Sequence, residues 1–450
     1  MNRVDNWLKW LNPGMGVKRW VTLGFFGLTL FLYGAVVRIQ SGISGDRPLS
    51  VRLADGSIHA LHLGIRAPLL AALLLAAGTV ICFFAFARLI GSLTSVLSPE
   101  LARGGLANVV YQRRKLAQAP RIVVIGGGTG LSTMLRGLKQ YSSNITAIVT
   151  VADDGGSSGK IKKQLNILPP GDIRNCLVAL ADAETQMTEL FQYRFREANR
   201  TAGSREPGSD EPAAANYGEG LRDHSFGNLL IAAMTAINGG DFERAVLETS
   251  RVLNIRGKVL PATVDHVHLR AEMQDGSFIE GETAIASSPL RIKRMHLLPE
   301  NACPVADALD AIARADVIVL GPGSVFTSVI PNLLTRGIPE AIERSRAKKV
   351  YICNVMTQPG ETDGFSAYDH IKTIERHAGR RVFNYVLVNS AQPSQHLLEK
   401  YRKSGAALVI ADTDRIKADA YRPITGPFIS QTDVVRHDAS LLARAIMNLL

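Results

Sequence analysis

Residues 121–159, RIVVIGGGTGLSTMLRGLKQYSSNITAIVTVADDGGSSG, constrain the fold of this chain more than any other stretch. A short β-rich run ends in four glycines among five residues, Gly126, Gly127, Gly128 and Gly130. A helix-like segment follows, then a second apolar run that stops at Asp153-Asp154. Strand, glycine turn, helix, strand and acid, in that order, make the first half of a nucleotide-binding βαβ unit. Glycine lets the backbone approach a pyrophosphate closely, and a helix N-terminus offers it unpaired N–H groups. Asp153 lies about 25 residues past Gly128, where such folds keep a ribose-binding acid. A third glycine of G-x-G-x-x-G would fall at 131, which is Leu131. The same residues also suit a tight strand-to-helix turn that binds nothing. A P-loop is excluded, because GGGTGLST lacks its lysine.

The net charge of +11 invites a nucleic-acid reading, but its location argues against one. Residues 1–119 hold 13 Lys/Arg against 4 Asp/Glu, whereas the other 331 hold 38 against 36. The basic segment instead reads as a membrane anchor. Its uncharged runs, 20–37 and 67–87, are each long enough to cross a hydrocarbon core of roughly 30 Å as a helix. Basic residues flank them (Lys18, Arg19, Arg88, then Arg113, Arg114 and Lys115), which favours cytoplasmic ends. We therefore expect a basic arm at 1–19, a transmembrane hairpin at 20–90 and a basic linker at 91–119. The hairpin makes this a two-span protein of the cell membrane whose main domain faces the cytoplasm. Cys82, Cys176, Cys303 and Cys353 show no C-x-x-C pair and read as reduced, buried thiols.

From residue 120 to 450, apolar β-type runs alternate with amphipathic segments, at 121–125, 146–151, 316–320, 349–355, 385–389 and 407–411. Such alternation predicts an α/β domain, a Rossmann-like, mostly parallel sheet with helices on both faces. Residues 196–217 read as a disordered insertion. Residues 255–295, with a turn signal at Gln274-Asp275-Gly276, read as a small antiparallel β layer.

Polar and glycine-rich residues collect after the strands, the end at which open parallel sheets bind ligands. The first loop carries Gly127, Gly128, Thr129 and Gly130; the second carries Asp153, Asp154, Ser157 and Ser158. Later loops carry Gly321, Gly323 and Ser324, then Asn354 and Thr357. Glycine and asparagine also simply suit strand–helix turns. Asp153 and Asp154 can recognise ribose or base, and Asp154 can hold Mg²⁺. Asp172 reads as a helix N-cap, with Arg174 and Asn175 in the first turn placed to meet an anion. His224 and Asn228 precede an apolar helix, His224 as an acid, a base or only a hydrogen-bond donor. No G-x-S-x-G elbow supports a hydrolase triad.

GGGTGLSTMLRGLK, ITAIVTVADDGGSSGK, LPPGDIRNCLVALA, LRDHSFGNLLIAAM, ADVIVLGPGSVFTSVIPNLL and YICNVMTQPGETDGFSAYDHI together resemble the successive blocks of the YvcK-like gluconeogenesis factors, within the CofD-like superfamily. The similarity runs through residues 120–450; residues 1–119 and the insertion lie outside it. The resemblance implies a regulatory protein that binds UDP-N-acetylglucosamine and links carbon supply to cell-wall synthesis and cell shape, with a cell-wall-synthesis protein as partner. It also implies Tyr401 and Arg436 as binding residues. CofD-like relatives are Mg²⁺-dependent phospholactyl transferases, which makes a phosphotransferase the alternative. A dinucleotide oxidoreductase is the third reading, against which the missing glycine counts.

Overall fold

The computed structural model describes residues 18–44, 51–52, 58–59, 67–97, 111, 114–182, 184–195, 221–431 and 434–450. The insertion expected at 196–217 and nearly all of the basic arm lie outside the described residues. The chain divides into two compact units between Arg114 and Lys115.

The first unit is a helical hairpin of α1 (Lys18–Ser44) and α2 (Ala67–Leu97). The helices run antiparallel, since Trp20 meets Phe84 edge-on and Gly34 meets Leu74. Glycines bring the backbones together: a Cβ on Gly78 would stand 2.6 Å from the Phe31 nitrogen and 2.7 Å from the Gly27 oxygen. Small residues serve membrane helices in this way, where close van der Waals contact replaces hydrophobic drive. Phe25, Phe26, Leu32, Phe83 and Phe86 turn outward. Segments Lys18–Ile39 and Pro68–Ser92 are each long and apolar enough to cross a membrane. Residues 91–97, expected in the linker, continue α2.

The second unit begins with β1 (Ile122–Gly126), α3 (Gly128–Leu138), β2 (Ile145–Val149), α4 (Gly156–Leu165), α5 (Gly171–Leu180) and α6 (Glu184–Gln192). Next come α7 (Phe226–Ile237), α8 (Phe242–Val252), β3 (Lys258–Pro261), β4 (His268–Met273), β5 (Phe278–Glu280), α9 (Glu282–Ser287) and β6 (Ile292–Leu298). Then follow α10 (Ala306–Arg314), β7 (Val317–Leu320), a π-helical turn at Val325–Val329, α11 (Ile330–Leu334), α12 (Ile338–Arg344) and β8 (Lys348–Ile352). The chain closes with α13 (Ala367–Ala378), β9 (Tyr385–Asn389), α14 (Gln395–Lys403), α15 (Thr413–Ala418), β10 (Arg422–Gly426), β11 (Ile429–Gln431), β12 (Val435–His437) and α16 (Ala439–Met447).

Seven strands form one sheet in the order β10-β9-β8-β7-β1-β2-β3, every neighbouring pair parallel. All residues of the central strands β1 and β7 are buried, as a sheet covered on both faces requires. On one face α3 lies so near α16 that a Cβ on Gly137 would stand 2.1 Å from the Ala439 oxygen. The antiparallel layer forms as β5-β4-β6, with Asp275 accepting from the Ser277 N–H and hydroxyl in its turn. His377 of α13 ties this layer down, donating through Nδ1 to the Thr373 oxygen and accepting at Nε2 from the Met295 N–H, 3.0 Å. Burial pushes its pKa down to about 4, and Arg294, Arg376 and His296 push the same way.

Several expectations need correction. Lys258–Pro261, expected within the antiparallel layer, is an outer strand of the main sheet. Residues 407–411 are not a sheet strand: they bond to the loop after β8, through Thr357 N–H to the Ala407 oxygen and Val409 N–H to the Val355 oxygen. The seventh place goes to β10, whose Pro423 and sparse apolar content disguise it; an outer strand tolerates proline. Cys176 and Cys353 are buried thiols, but Cys303 is exposed.

Candidate functional site

The chain leaves β1 outward through β2 to β3, returns to β7 on the other side of β1, and leaves outward again through β8, β9 and β10. The loops after β1 and β7 therefore diverge at a topological switch point, where doubly wound sheets open a crevice. Their backbones touch here. A Cβ on Gly130 would stand 2.5 Å from the Pro322 oxygen, and one on Gly323 would stand 3.3 Å from the Gly127 oxygen. Gly321 has φ +77° and Gly128 φ +66°, conformations that side chains resist. Thr129 stands exposed in the first turn of α3. Beneath the turn, buried Asn332 donates to the Gly126 and Ser328 oxygens.

Asp172 does not cap its own helix. It occupies the second position of α5, whose N-cap is Pro170, and its Oδ2 accepts the Gly128 N–H at 2.7 Å. One of the turn's backbone donors is thus held by a carboxylate from another helix. Burial raises the Asp172 pKa to about 6, opposed by the Gly128 hydrogen bond. Asp153 accepts the Gly155 N–H through Oδ1, 2.8 Å, while Oδ2 faces the space beside Gly171, where a Cβ would approach it to 3.2 Å. Asp154 is engaged elsewhere, its Oδ1 accepting the N–H and hydroxyl of Thr283 in the first turn of α9. Beside Thr283, Glu282 is pushed up to about 8 by burial and then by Asp153, Asp172, Asp154 and Glu361. Asp153, Asp154, Asp172, Glu282 and Glu361 thus share one electrostatic neighbourhood. Among the described residues no three His, Cys, Asp or Glu side chains form a group that could hold a metal.

Arg174 is buried with its charge directed at amides and hydroxyls. Nη1 donates to Ser225 Oγ at 2.5 Å and to Asn228 Oδ1 at 3.0 Å; Nη2 donates to Asn175 Oδ1 at 2.9 Å. Burial lowers its pKa to about 10, Arg194 pushing the same way. Asn228 Nδ2 and the Ser225 N–H donate to Ser157 Oγ, so the Ser157 proton is left for His224 Nδ1, 3.2 Å away. A hydroxyl receiving two donors is no nucleophile. Burial and then Lys160 lower the His224 pKa, and a neutral ring accepting at Nδ1 carries its proton on Nε2. His224 is therefore a polarised hydrogen-bond donor. Ser158 is buried against Gly171.

On the β7 side Ser324 Oγ donates to Glu361 and caps the π-helical turn by accepting the Thr327 N–H, 3.1 Å. Asn354 Oδ1 accepts the Gly323 N–H at 3.4 Å. Thr357 and Tyr401 have other partners. Thr357 Oγ1 accepts the Ala407 N–H, 2.9 Å. The Tyr401 hydroxyl accepts the Val435 N–H at 3.2 Å, and its ring packs on Val355, Leu397 and Val435. Arg436 is exposed on β12, in register with Ser430. Glu282, Glu361, Thr283 and Asn332 were not singled out from the sequence. Glu361 lies in a loop that was, and the other three carry no local signal.

Residues 122–429 match the family described as 2-phospho-L-lactate transferase CofD. The chain belongs to the CofD family. Within it, this CofD-family chain is similar to proteins named gluconeogenesis factors. It is 42% identical to a putative gluconeogenesis factor of Nostoc, over 99% of this chain and 93% of that protein. It is 46% identical to the gluconeogenesis factor of Bacillus subtilis, over 74% of this chain and 99% of that protein. A crystal structure of a UPF0052-family protein from Bacillus halodurans superposes with a TM-score of 0.66 at 48% identity, over 73% of this chain and 99% of that one. The Bacillus relatives thus match about three quarters of the chain, whereas the Nostoc relative matches nearly all of it.

The CofD name raises the question of Mg²⁺. Asp154 accepts from Thr283 and Asp153 from Gly155, each through Oδ1, and Asp172 accepts from Gly128 through Oδ2; among the described residues these carboxylates do not gather into a group of three that could hold the ion.

Proposed function

We propose that this CofD-family chain is a regulatory protein that binds UDP-N-acetylglucosamine and couples gluconeogenic carbon supply to cell-wall synthesis and cell shape. The N-terminal hairpin anchors it in the cell membrane with the C-terminal unit in the cytoplasm, where it meets a protein of cell-wall synthesis. The observation that carries the reading is the meeting of the β1 and β7 glycine turns at the switch point, held from beneath by Asp172 and flanked by Asp153, whose Oδ1 accepts the Gly155 N–H. The turns suit a diphosphate, and Asp153 suits ribose hydroxyls or a uracil N–H. The names of its relatives support a role in gluconeogenesis. The name CofD favours a second reading, a 2-phospho-L-lactate transferase-type phosphotransferase.

Calorimetry on the full chain in detergent, followed by chromatography of the ligand, decides between them. A regulator binds UDP-N-acetylglucosamine and returns it intact; release of a nucleoside phosphate product establishes the transferase. Asp153→Ala weakens binding tenfold or more, about 1.4 kcal/mol, and Asp154→Ala weakens it less. The opposite order, or no binding to the unaltered chain, refutes the assignment.

A further inference from the structure

Apart from the switch-point crevice, a cavity of about 360 Å³ opens between β6 and α13, closed at one end by the turn 361–365. It lies near the lower end of the size range for small-molecule sites. Its charged groups divide sharply by whether they already have partners. Lys293 is paired with Glu272 at 2.6 Å, and Lys372 with Asp419 at 3.1 Å and with Glu375. The acidic lining is likewise committed: Asp363 accepts the Gly360 N–H, Asp369 closes the capping box with Ser366, and Glu361 accepts from Ser324. Arg291 and Arg376 remain. They come from different layers, line the same cavity, and make neither an ion pair nor a side-chain hydrogen bond among the described residues. The uncompensated charge is felt nearby, since Arg376 and Arg294 both help keep His377 neutral. Half-buried Phe365 supplies an apolar wall, its ring edge to face with that of fully buried Phe326, 6.4 Å away.

We propose that this cavity binds a phosphorylated sugar, with the phosphate forked between Arg291 and Arg376 and the ring against Phe365. Two guanidinium planes match the oxygens of one phosphate, and a sugar ring presents C–H faces to aromatics and hydroxyls to the carboxylate rim. The site borders the crevice through Glu361, whose carboxylate accepts from Ser324, and does not depend on the UDP-sugar reading.

Glucose 6-phosphate titrated into the full chain in detergent, read by calorimetry, provides the test, with glucose and inorganic phosphate as controls. We expect saturable one-to-one binding, no heat from glucose, and weaker binding of inorganic phosphate. The double variant Arg291→Gln/Arg376→Gln, altered only at exposed side chains, should lose at least tenfold in affinity with its thermal midpoint unchanged. Asp153→Ala, altered in the crevice, should bind glucose 6-phosphate as the unaltered chain does. No binding, unchanged affinity in the double variant, or loss of binding in Asp153→Ala overturns the proposal. Because the last variant probes the crevice without UDP-N-acetylglucosamine, failure of the nucleotide-sugar reading leaves the test intact.

Discussion

Replacing Asp172 by asparagine should make the protein more stable at neutral pH and flatten its response to pH. The carboxylate sits against the Gly128 N–H, and burial raises its pKa from 3.8 to about 6. A folded-state pKa above the unfolded value means that the folded state holds its proton longer. The stability this provides is complete below pH 3.8 and disappears as pH rises through about 6. A shift of about two units, at 1.36 kcal/mol each, amounts to about 3 kcal/mol. Asparagine keeps an acceptor for Gly128 and cannot ionise, so the variant escapes that loss. The difference in stability between variant and unaltered chain should therefore grow by about 3 kcal/mol between pH 4 and 7, roughly 4 °C for a unit of this size. Asp172 also helps hold Glu282 protonated, so removing its charge extends the difference towards pH 8. Scanning calorimetry of both proteins from pH 4 to 8 makes the comparison. Stability curves that stay parallel would mean that Asp172 titrates as an ordinary carboxylate, and its role under the glycine turn would fall.

Two further outcomes follow from the same geometry. Gly130→Ala places a Cβ 2.5 Å from the Pro322 oxygen, a backbone atom that cannot swing aside, so unfolding measurements should show a loss of about 1–3 kcal/mol; Gly128→Ala meets only Ser328 Oγ at 3.7 Å and should lose about 1–2 kcal/mol through its φ of +66° alone. His377 and His437 are each held neutral by burial, with pKa values near 4, so their stabilisation is whole above pH 6.5 and fades as pH falls towards 4; His377→Gln should shallow that acid limb, and an unchanged limb would deny the bond between His377 and Met295.

The sequence made the centre of the sheet legible and left its borders obscure. Strands β1 and β7 are buried throughout and read as unbroken apolar runs, and β2, β8 and β9 keep buried apolar centres, whereas β3 ends in Pro261 and β10 carries Pro423 with little apolar content. In the site, spacing pointed to the glycine turns, Asp153, Arg174 and the segment holding His224 and Asn228. It could not show that Asp172 reaches back 44 residues to Gly128, or that Asp154 reaches forward 129 residues to Thr283. A cap normally lies beside the helix it serves, so a carboxylate that serves a distant one is indistinguishable from a local cap until the chain is folded.

The two prolines that obscured the outer strands bear on how molecules of this protein behave in a crowd. Arg422 donates its N–H inward to Asn384, and Ala262 donates inward to Val149. Alternation along a strand then turns the next positions, Pro423 and Pro261, towards the open border on each side. Each border therefore lacks a donor where an added strand would seek one, and lateral strand-to-strand growth is interrupted at both margins. Seven-stranded sheets of this kind can therefore collide without zipping together.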